Sequence, residues 1–182
     1  MRDTKLNKLI LTALMIAIVT VSTMFIKIPT LNGYIHLGDS MVFFSVFLLG
    51  KKYGSVASGL GSALGDILAG YAIWAPWTFV IKGLMAIIFG LFLEWSSNNE
   101  TEPKKIANIS IMSYLGMILA GLEMCFGYYL ANGIIYGNWL VALAEVIPNI
   151  GQFSVGIVIS ALLVNALSKT SVRDLFKHKI NQ

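Results

Sequence analysis

Apolar residues run along this chain in long blocks, separated by short polar or glycine-marked breaks. A helix crosses a bilayer core with roughly 20 apolar residues at about 1.5 Å of rise each. By that measure six helices are expected, at about residues 6–26, 38–50, 53–71, 76–95, 106–131 and 139–167. The second is the shortest, because its uninterrupted apolar stretch covers only 41–50, and a re-entrant piece is the competing reading. Residues 96–105 (SSNNETEPKK) form a polar linker with a proline stop, dividing the chain into a 4 + 2 arrangement. No internal repeat is visible, so a carrier built from inverted repeats is not supported.

The basic residues choose between six crossings and five. With six, and the N-terminus inside, Arg2, Lys5, Lys8, Lys51, Lys52, Lys104, Lys105, Lys169, Arg173, Lys177 and Lys179 all fall on the cytoplasmic side. Only Lys27 falls outside, and Lys82 lies within a helix; eleven against one is a strong positive-inside bias. Dropping the second crossing would place Lys51 and Lys52 on the wrong side. The aromatic belts agree: Trp74, Trp77 and Trp139, with Tyr71, Tyr128, Tyr129 and Tyr136, mark one interface, and Trp95 marks the other. The expectation is an all-α integral membrane protein, one six-helix domain over 1–182, with both termini cytoplasmic.

Composition supports this. Of 182 residues, 57% are hydrophobic and 12% charged, and mean hydropathy is +0.76. Soluble domains carry about 25% charged residues. The net charge of +4 sits beside apolar segments, which is an orientation pattern and not a nucleic-acid groove. Cys125 is the sole cysteine, so an intrachain disulfide and a thiolate metal cluster are excluded. The basic N-terminus runs into apolar sequence without a small-residue cleavage site, and is read as a retained first helix.

Against that background the intramembrane charges stand out: Asp39, Asp66, Lys82, Glu123 and Glu145, with His36 beside the first. Each costs roughly 2.5–3.5 kcal/mol at a helix centre, so it must pair, line a wet cavity or hold a ligand. Lys82 and Glu145 are expected about six residues, or roughly 9 Å, below the outer surface, and Glu123 roughly 12 Å below it. All then fall in the outer half. Asn149 and Gln152 lie at i+4 and i+7 from Glu145 and share its helix face, and Pro148 between them frees a carbonyl. Asp66 and Lys82 flank one short outer loop and are expected to form a structural ion pair. That leaves Glu123, Glu145, Asn149 and Gln152, with Lys82, Trp77, His36 and Asp39, as candidate substrate-binding residues. Carboxylates, amides and a tryptophan rim suit a small neutral or cationic nitrogen heterocycle.

Small residues recur at Ala57, Gly61, Gly65 and Ala69, a ridge expected to pack another helix of the same chain. Ala13 and Ala17 form a shorter small-residue pair on the first helix. No phosphate-binding loop, H-E-x-x-H or G-x-S-x-G motif occurs. His36 with Asp39 offers too few ligands for a metal, and His36 is read as a loop hydrogen-bonding residue. No metal and no cofactor is expected on this chain, and no catalysis.

The run from Gly33 through His36 and Gly38 to Asp39 leads into an apolar helix. It is followed by Leu49-Gly50-Lys51-Lys52-Tyr53-Gly54, then Gly59-Leu60-Gly61-Ser62-Ala63-Leu64-Gly65-Asp66 and Ala75-Pro76-Trp77-Thr78-Phe79. With Ile81-Lys82-Gly83-Leu84-Met85, this series resembles the substrate-binding S components of energy-coupling factor (ECF) vitamin transporters. The likeness is to the branch with riboflavin-type and hydroxymethylpyrimidine- or pyridoxine-type members. It covers about 8–95; the last two helices match in length and polarity. The resemblance implies a six-helix subunit in the bacterial plasma membrane that captures a vitamin on its outer side. It also implies partners, a transmembrane coupling (T) subunit and two cytoplasmic ATPases that hold the ATPase activity. Ala13 and Ala17 match the family's docking pattern for the coupling subunit, and the loop 28–37 would be the lid. A small pyrimidine or pyridine vitamin, including thiamine-type compounds, is expected over riboflavin. An ion-coupled carrier relaying protons through Asp66, Glu123 and Glu145 is the alternative of another class. It lacks a polar path through 10–17, 43–49 and 156–164. A membrane enzyme using Glu123 and Glu145 as an acid/base pair ranks last, because no nucleophile accompanies them.

Overall fold

The computed structural model describes residues 4–25, 27–29, 34–99 and 104–170. Arg2, Arg173, Lys177, Lys179 and the centre of the expected lid, 30–33, lie outside them.

The apolar blocks form helices, and the polar breaks form turns. Helix α1 (Thr4–Phe25) is followed by a short antiparallel hairpin, β1 (Lys27–Pro29) and β2 (Tyr34–His36), in which Lys27 faces His36. Then come α2 (Gly38–Leu68) and α3 (Ala75–Asn99). A second hairpin, β3 (Lys105–Ile106) and β4 (Ile109–Ser110), leads into α4 (Ile111–Tyr136). The chain closes with α5 (Trp139–Ala144) and α6 (Val146–Leu167).

Helix α2 is two helices, not one. Gly50 has φ 77° and ψ 179°, a conformation open to glycine and strained for other residues. Across it Ser45 Oγ lies 3.0 Å from Ser58 Oγ, although thirteen residues of straight helix would separate them by roughly 20 Å. The arms 38–49 and 51–68 therefore run antiparallel, with Lys51 and Lys52 at the bend. The two apolar segments read on either side of Gly50 are these arms.

Close approaches set the direction of every other helix. Thr20 Oγ1 lies 2.9 Å from the Gly61 carbonyl oxygen, and a Cβ at Gly61 would sit 2.8 Å from the carbonyl oxygen of Ile16. The ridge on the second arm thus packs α1, in parallel, as small residues permit in a membrane bundle. Tyr128 on α4 bonds Thr78 near the start of α3, whereas Gly116 abuts Phe92 near its end, so these two helices are antiparallel. Helix α6 returns beside the first arm of α2, with Gly156 against Asp39 and Ser40. The molecule has a hairpin end, under β1–β2, and a linker end, where Lys51 pairs with Glu94 at 2.8 Å.

Between the ends lies an apolar core in which Phe43 and Phe47 meet Phe89 edge-on, at 5.5 and 4.9 Å between centroids. Met85, Met117 and Met124 fill the remaining space. Outward faces are apolar as well; Leu9, Leu14, Leu91, Leu122, Phe126 and Leu162 are exposed. A helix apolar on every side belongs in lipid. Four helical stretches, Lys5–Phe25, Ala75–Asn99, Ile111–Tyr136 and Trp139–Leu167, are long and apolar enough to cross a membrane.

Two segments depart from expectation. The helix expected over 106–131 begins at Ile111 and continues to Tyr136, because 105–110 turns on Ala107 and Asn108, both at positive φ, and Ser110 caps the helix by accepting from the Ser113 N–H. Glu123 therefore lies at the middle of α4, about 20 Å from its Gly137 end, next to Met124, which meets Lys82. The last segment breaks after Ala144. Proline at 148 cannot donate to the carbonyl four residues back and its ring collides with it, so Glu145 becomes the junction between α5 and α6.

Candidate functional site

At the hairpin end a pocket of about 470 Å³, counted to its open mouth, lies between β2 and the helix ends. Tyr34, Ile35 and His36 form its roof, and Asp66 comes from the end of α2. Tyr71 and Trp74 come from the loop before α3, Thr78 from α3 and Tyr128 from α4. Glu145, Asn149 and Gln152 complete the wall from the α5–α6 junction, so the face read from their spacing is the one the pocket sees.

The roof is fastened at several points. Tyr34 donates its hydroxyl to Asp66 Oδ1 at 2.8 Å, and burial, then the Asp66 charge, pushes the phenol's pKa up. Lys27 lies over the Tyr34 ring at 4.9 Å and the Tyr71 ring at 5.9 Å, a cation held by aromatic faces. His36 Nδ1 accepts from the Gly38 N–H at 2.9 Å, the loop role expected of it. Burial, then the nearby Lys82 ammonium, lowers the His36 pKa to about 4, so the ring is neutral at physiological pH.

Beneath the pocket lies a closed polar floor. Lys82, wholly buried, donates to Asp39, also wholly buried. This corrects the expected Lys82–Asp66 pair: the first arm of α2 runs alongside α3 in the same direction, which brings Asp39 to the lysine, while Asp66 turns to Tyr34. Met124 Sδ, at 2.8 Å, and the Tyr128 ring, at 5.3 Å, take the rest of the ammonium. Gln152 donates Nε2 to Asp39 Oδ2 at 3.0 Å, and its Oε1 accepts the His36 backbone N–H at 2.9 Å. Lys82 and Asp39 therefore support the pocket from below and do not line it.

Two further candidates fall elsewhere. Glu123 is absent from the lining; it sits half-buried at mid-helix, and its Oε2 has no hydrogen-bond partner among the described residues. Trp77 packs partly buried against the core, and the indole that lines the pocket is Trp74, one residue before α3 begins. Trp74 is 7% exposed, and its buried Nε1 has no partner among the described residues. Tyr34, Tyr71, Thr78 and Tyr128 were not singled out as binding residues. For Tyr71 and Tyr128 the aromatic belt is the one signal, and belts mark interfaces whether or not they hold a ligand; Tyr34 and Thr78 carry none of that kind. Ala13 and Ala17 are exposed on α1, on the side away from α2.

Chemically, the pocket offers two carboxylates, an amide from Asn149 and several ring faces, with no lysine or arginine among the described residues of its lining. The profile of the "ECF-type riboflavin transporter, S component" family matches residues 3–169. A Pyrococcus woesei protein described as an uncharacterized protein in the gap 3′ region is 37% identical over 153 residues, covering 83% of this chain and 95% of that one. The thiamine precursor transporter HmpT of Lactococcus lactis subsp. cremoris (strain MG1363) is 26% identical over 180 residues, 97% of each chain.

Proposed function

The chain belongs to the ECF-type riboflavin transporter S component family, and on that premise we propose that it captures a small N-heteroaromatic vitamin or precursor. Hydroxymethylpyrimidine, thiamine and pyridoxine are of this type. It is a multi-pass membrane protein of a transporter family. In this reading the substrate enters the pocket beneath β1–β2 from outside the cell. A transmembrane coupling subunit and two cytoplasmic ATPases then drive its release inward, so this chain carries out no catalysis.

The observation that carries the reading is the pocket lining. Asp66 and Glu145 place carboxylate oxygens in the lining, a group type that accepts from ring amino and hydroxyl groups. Tyr71, Trp74 and Tyr128 offer faces for a flat ring. The nearest buried cation, Lys82, is already committed to Asp39, and Lys27 lies over the Tyr34 and Tyr71 rings, so a polyanionic ligand would meet two carboxylates with a single cation beside the roof. The name of the L. lactis relative supports a thiamine precursor. Riboflavin is the second reading, favoured by the name of the family. A proton relay is less well supported, because Phe43, Phe47, Phe89 and Met117 close the linker half of the bundle.

The remaining topology follows the same reading. Helix α1, the two arms of α2, α3, α4 and the α5–α6 pair are the six crossings, with both termini cytoplasmic in the plasma membrane of a bacterium. The exposed Ala13–Ala17 face of α1 docks on the coupling subunit. The test is to purify the chain without partners and titrate it with a vitamin panel. Saturable binding of one heteroaromatic compound is expected, and no binding by folded protein would overturn the reading. Ala13→Leu with Ala17→Leu is expected to spare that binding and abolish uptake by the assembled transporter; normal uptake would remove the docking assignment.

A further inference from the structure

Gln152 was read from the sequence as a substrate contact, but its hydrogen-bonding groups are already engaged. Oε1 accepts the His36 N–H, one Nε2 hydrogen goes to Asp39 Oδ2, and Met124 Sδ lies 3.8 Å from Nε2. The amide can sit only one way round: flipped, it would set a donor against the His36 N–H and an oxygen against a carboxylate. All four members, His36, Gln152, Asp39 and Lys82, are at least nine-tenths buried. Helix α6 is also held tightly here, because a Cβ on Gly156, one turn along, would sit 2.9 Å from the Asp39 Cβ.

We propose that Gln152 is a positioning residue that latches the pocket roof to the buried Asp39–Lys82 pair, so that substrate retention depends on a hydrogen-bond chain running from β2 through α6 to α2 and α3. This deepens the capture role proposed above and rests on it for the ligand. The latch itself is a property of the empty protein. The chain has a definite polarity. Lys82 donates to Asp39, Asp39 accepts from Gln152, and Gln152 accepts from the roof. Every link is a buried hydrogen bond, and removing one partner leaves the other unsatisfied.

The experiment is hydrogen–deuterium exchange on the protein in lipid nanodiscs, with dissociation kinetics of hydroxymethylpyrimidine as the second readout. In Gln152→Met, of similar volume and without the amide, exchange over 34–36 is expected to quicken about tenfold, with amides in α3 and α4 unchanged. The paired exchange Gln152→Glu with Asp39→Asn keeps both the charge balance against Lys82 and the number of hydrogen bonds. The carboxylate accepts from His36 and from the new amide, so exchange is expected to return to within about threefold of the parent. A residue that merely fills space would not be rescued in this way. Parent-like exchange in Gln152→Met, or failed rescue in a folded paired variant, overturns the latch. For the ligand, the off-rate is expected to rise about tenfold in Gln152→Met with the on-rate within threefold. An unchanged off-rate alongside faster exchange overturns the positioning role. If the parent protein binds no pyrimidine, the capture reading fails while the exchange readout still decides the latch.

Discussion

Outside the pocket wall, where Asp66 and Glu145 are also buried, two places in this bundle treat a charge in opposite ways. Under the hairpin, Lys82 and Asp39 are wholly buried and every polar atom has a partner, in a network drawn from α2, α3, α4 and α6 and tied by Gln152 to the roof. At the middle of α4, Glu123 is half-buried and its Oε2 has no partner among the described residues. Both lie in helices that face lipid, where an ion needs a reason to remain. The difference shows that a charge's position along a helix does not identify a site. Convergence of several elements on that charge does: the floor has it, and so does Asp66, which Tyr34 reaches from the roof, whereas Glu123 does not.

The largest effect is expected from breaking the floor. Lys82→Met leaves Asp39 buried and uncompensated and should cost about 3–5 kcal/mol, read as a fall in apparent melting temperature in detergent. Adding Asp39→Asn should recover most of it; no recovery would mean that the pair is not the element being lost.

Acid should act on the same region from the roof. The unfolded chain takes up a proton at His36 near pH 6.5, whereas the folded chain resists until about pH 4. Stability from this group is therefore fully present above pH 6.5 and declines as pH falls through that window, by at most about 3 kcal/mol. His36→Asn should flatten that part of the pH profile, and an unchanged profile would locate the acid sensitivity elsewhere.

Smaller effects sharpen the contrast at the pocket. Trp74→Phe shrinks the ring face and removes the unpartnered indole N–H, and should weaken ligand binding about tenfold, while Trp77→Phe should change it less than about twofold. Glu123→Gln should leave binding within about twofold and raise stability by about 1 kcal/mol, since it removes a desolvated charge that nothing repays. A large loss of affinity in Glu123→Gln would restore that residue to the site.

The sequence made the helices legible because lipid writes them as long apolar blocks, and the bend at Gly50 because Lys51 and Lys52 follow it at once. The 145–149–152 face was legible too, since helical spacing alone places those residues together. Three things were not. The start of α4 depends on a turn over Ala107 and Asn108, which leaves no mark in hydropathy. The partner of Lys82 depends on the first arm of α2 lying beside α3, a tertiary arrangement that joins residues 43 positions apart; sequence proximity pointed to Asp66 instead. The choice of Trp74 over Trp77 depends on where α3 begins: Trp74, just before it, is buried and lines the pocket, while Trp77, within it, is only partly buried against the core.

The account stands or falls on the pocket as the capture site for a heteroaromatic ring. The most direct measurement replaces Trp77, Trp95 and Trp139 with Phe, leaving Trp74 as the single reporter, and titrates the purified chain with hydroxymethylpyrimidine, thiamine, pyridoxine and riboflavin. Saturable quenching of Trp74 by one of the small heterocycles, lost on Glu145→Gln or Asn149→Ala, is the predicted result. Folded protein whose Trp74 emission no compound in the panel alters would contradict the account.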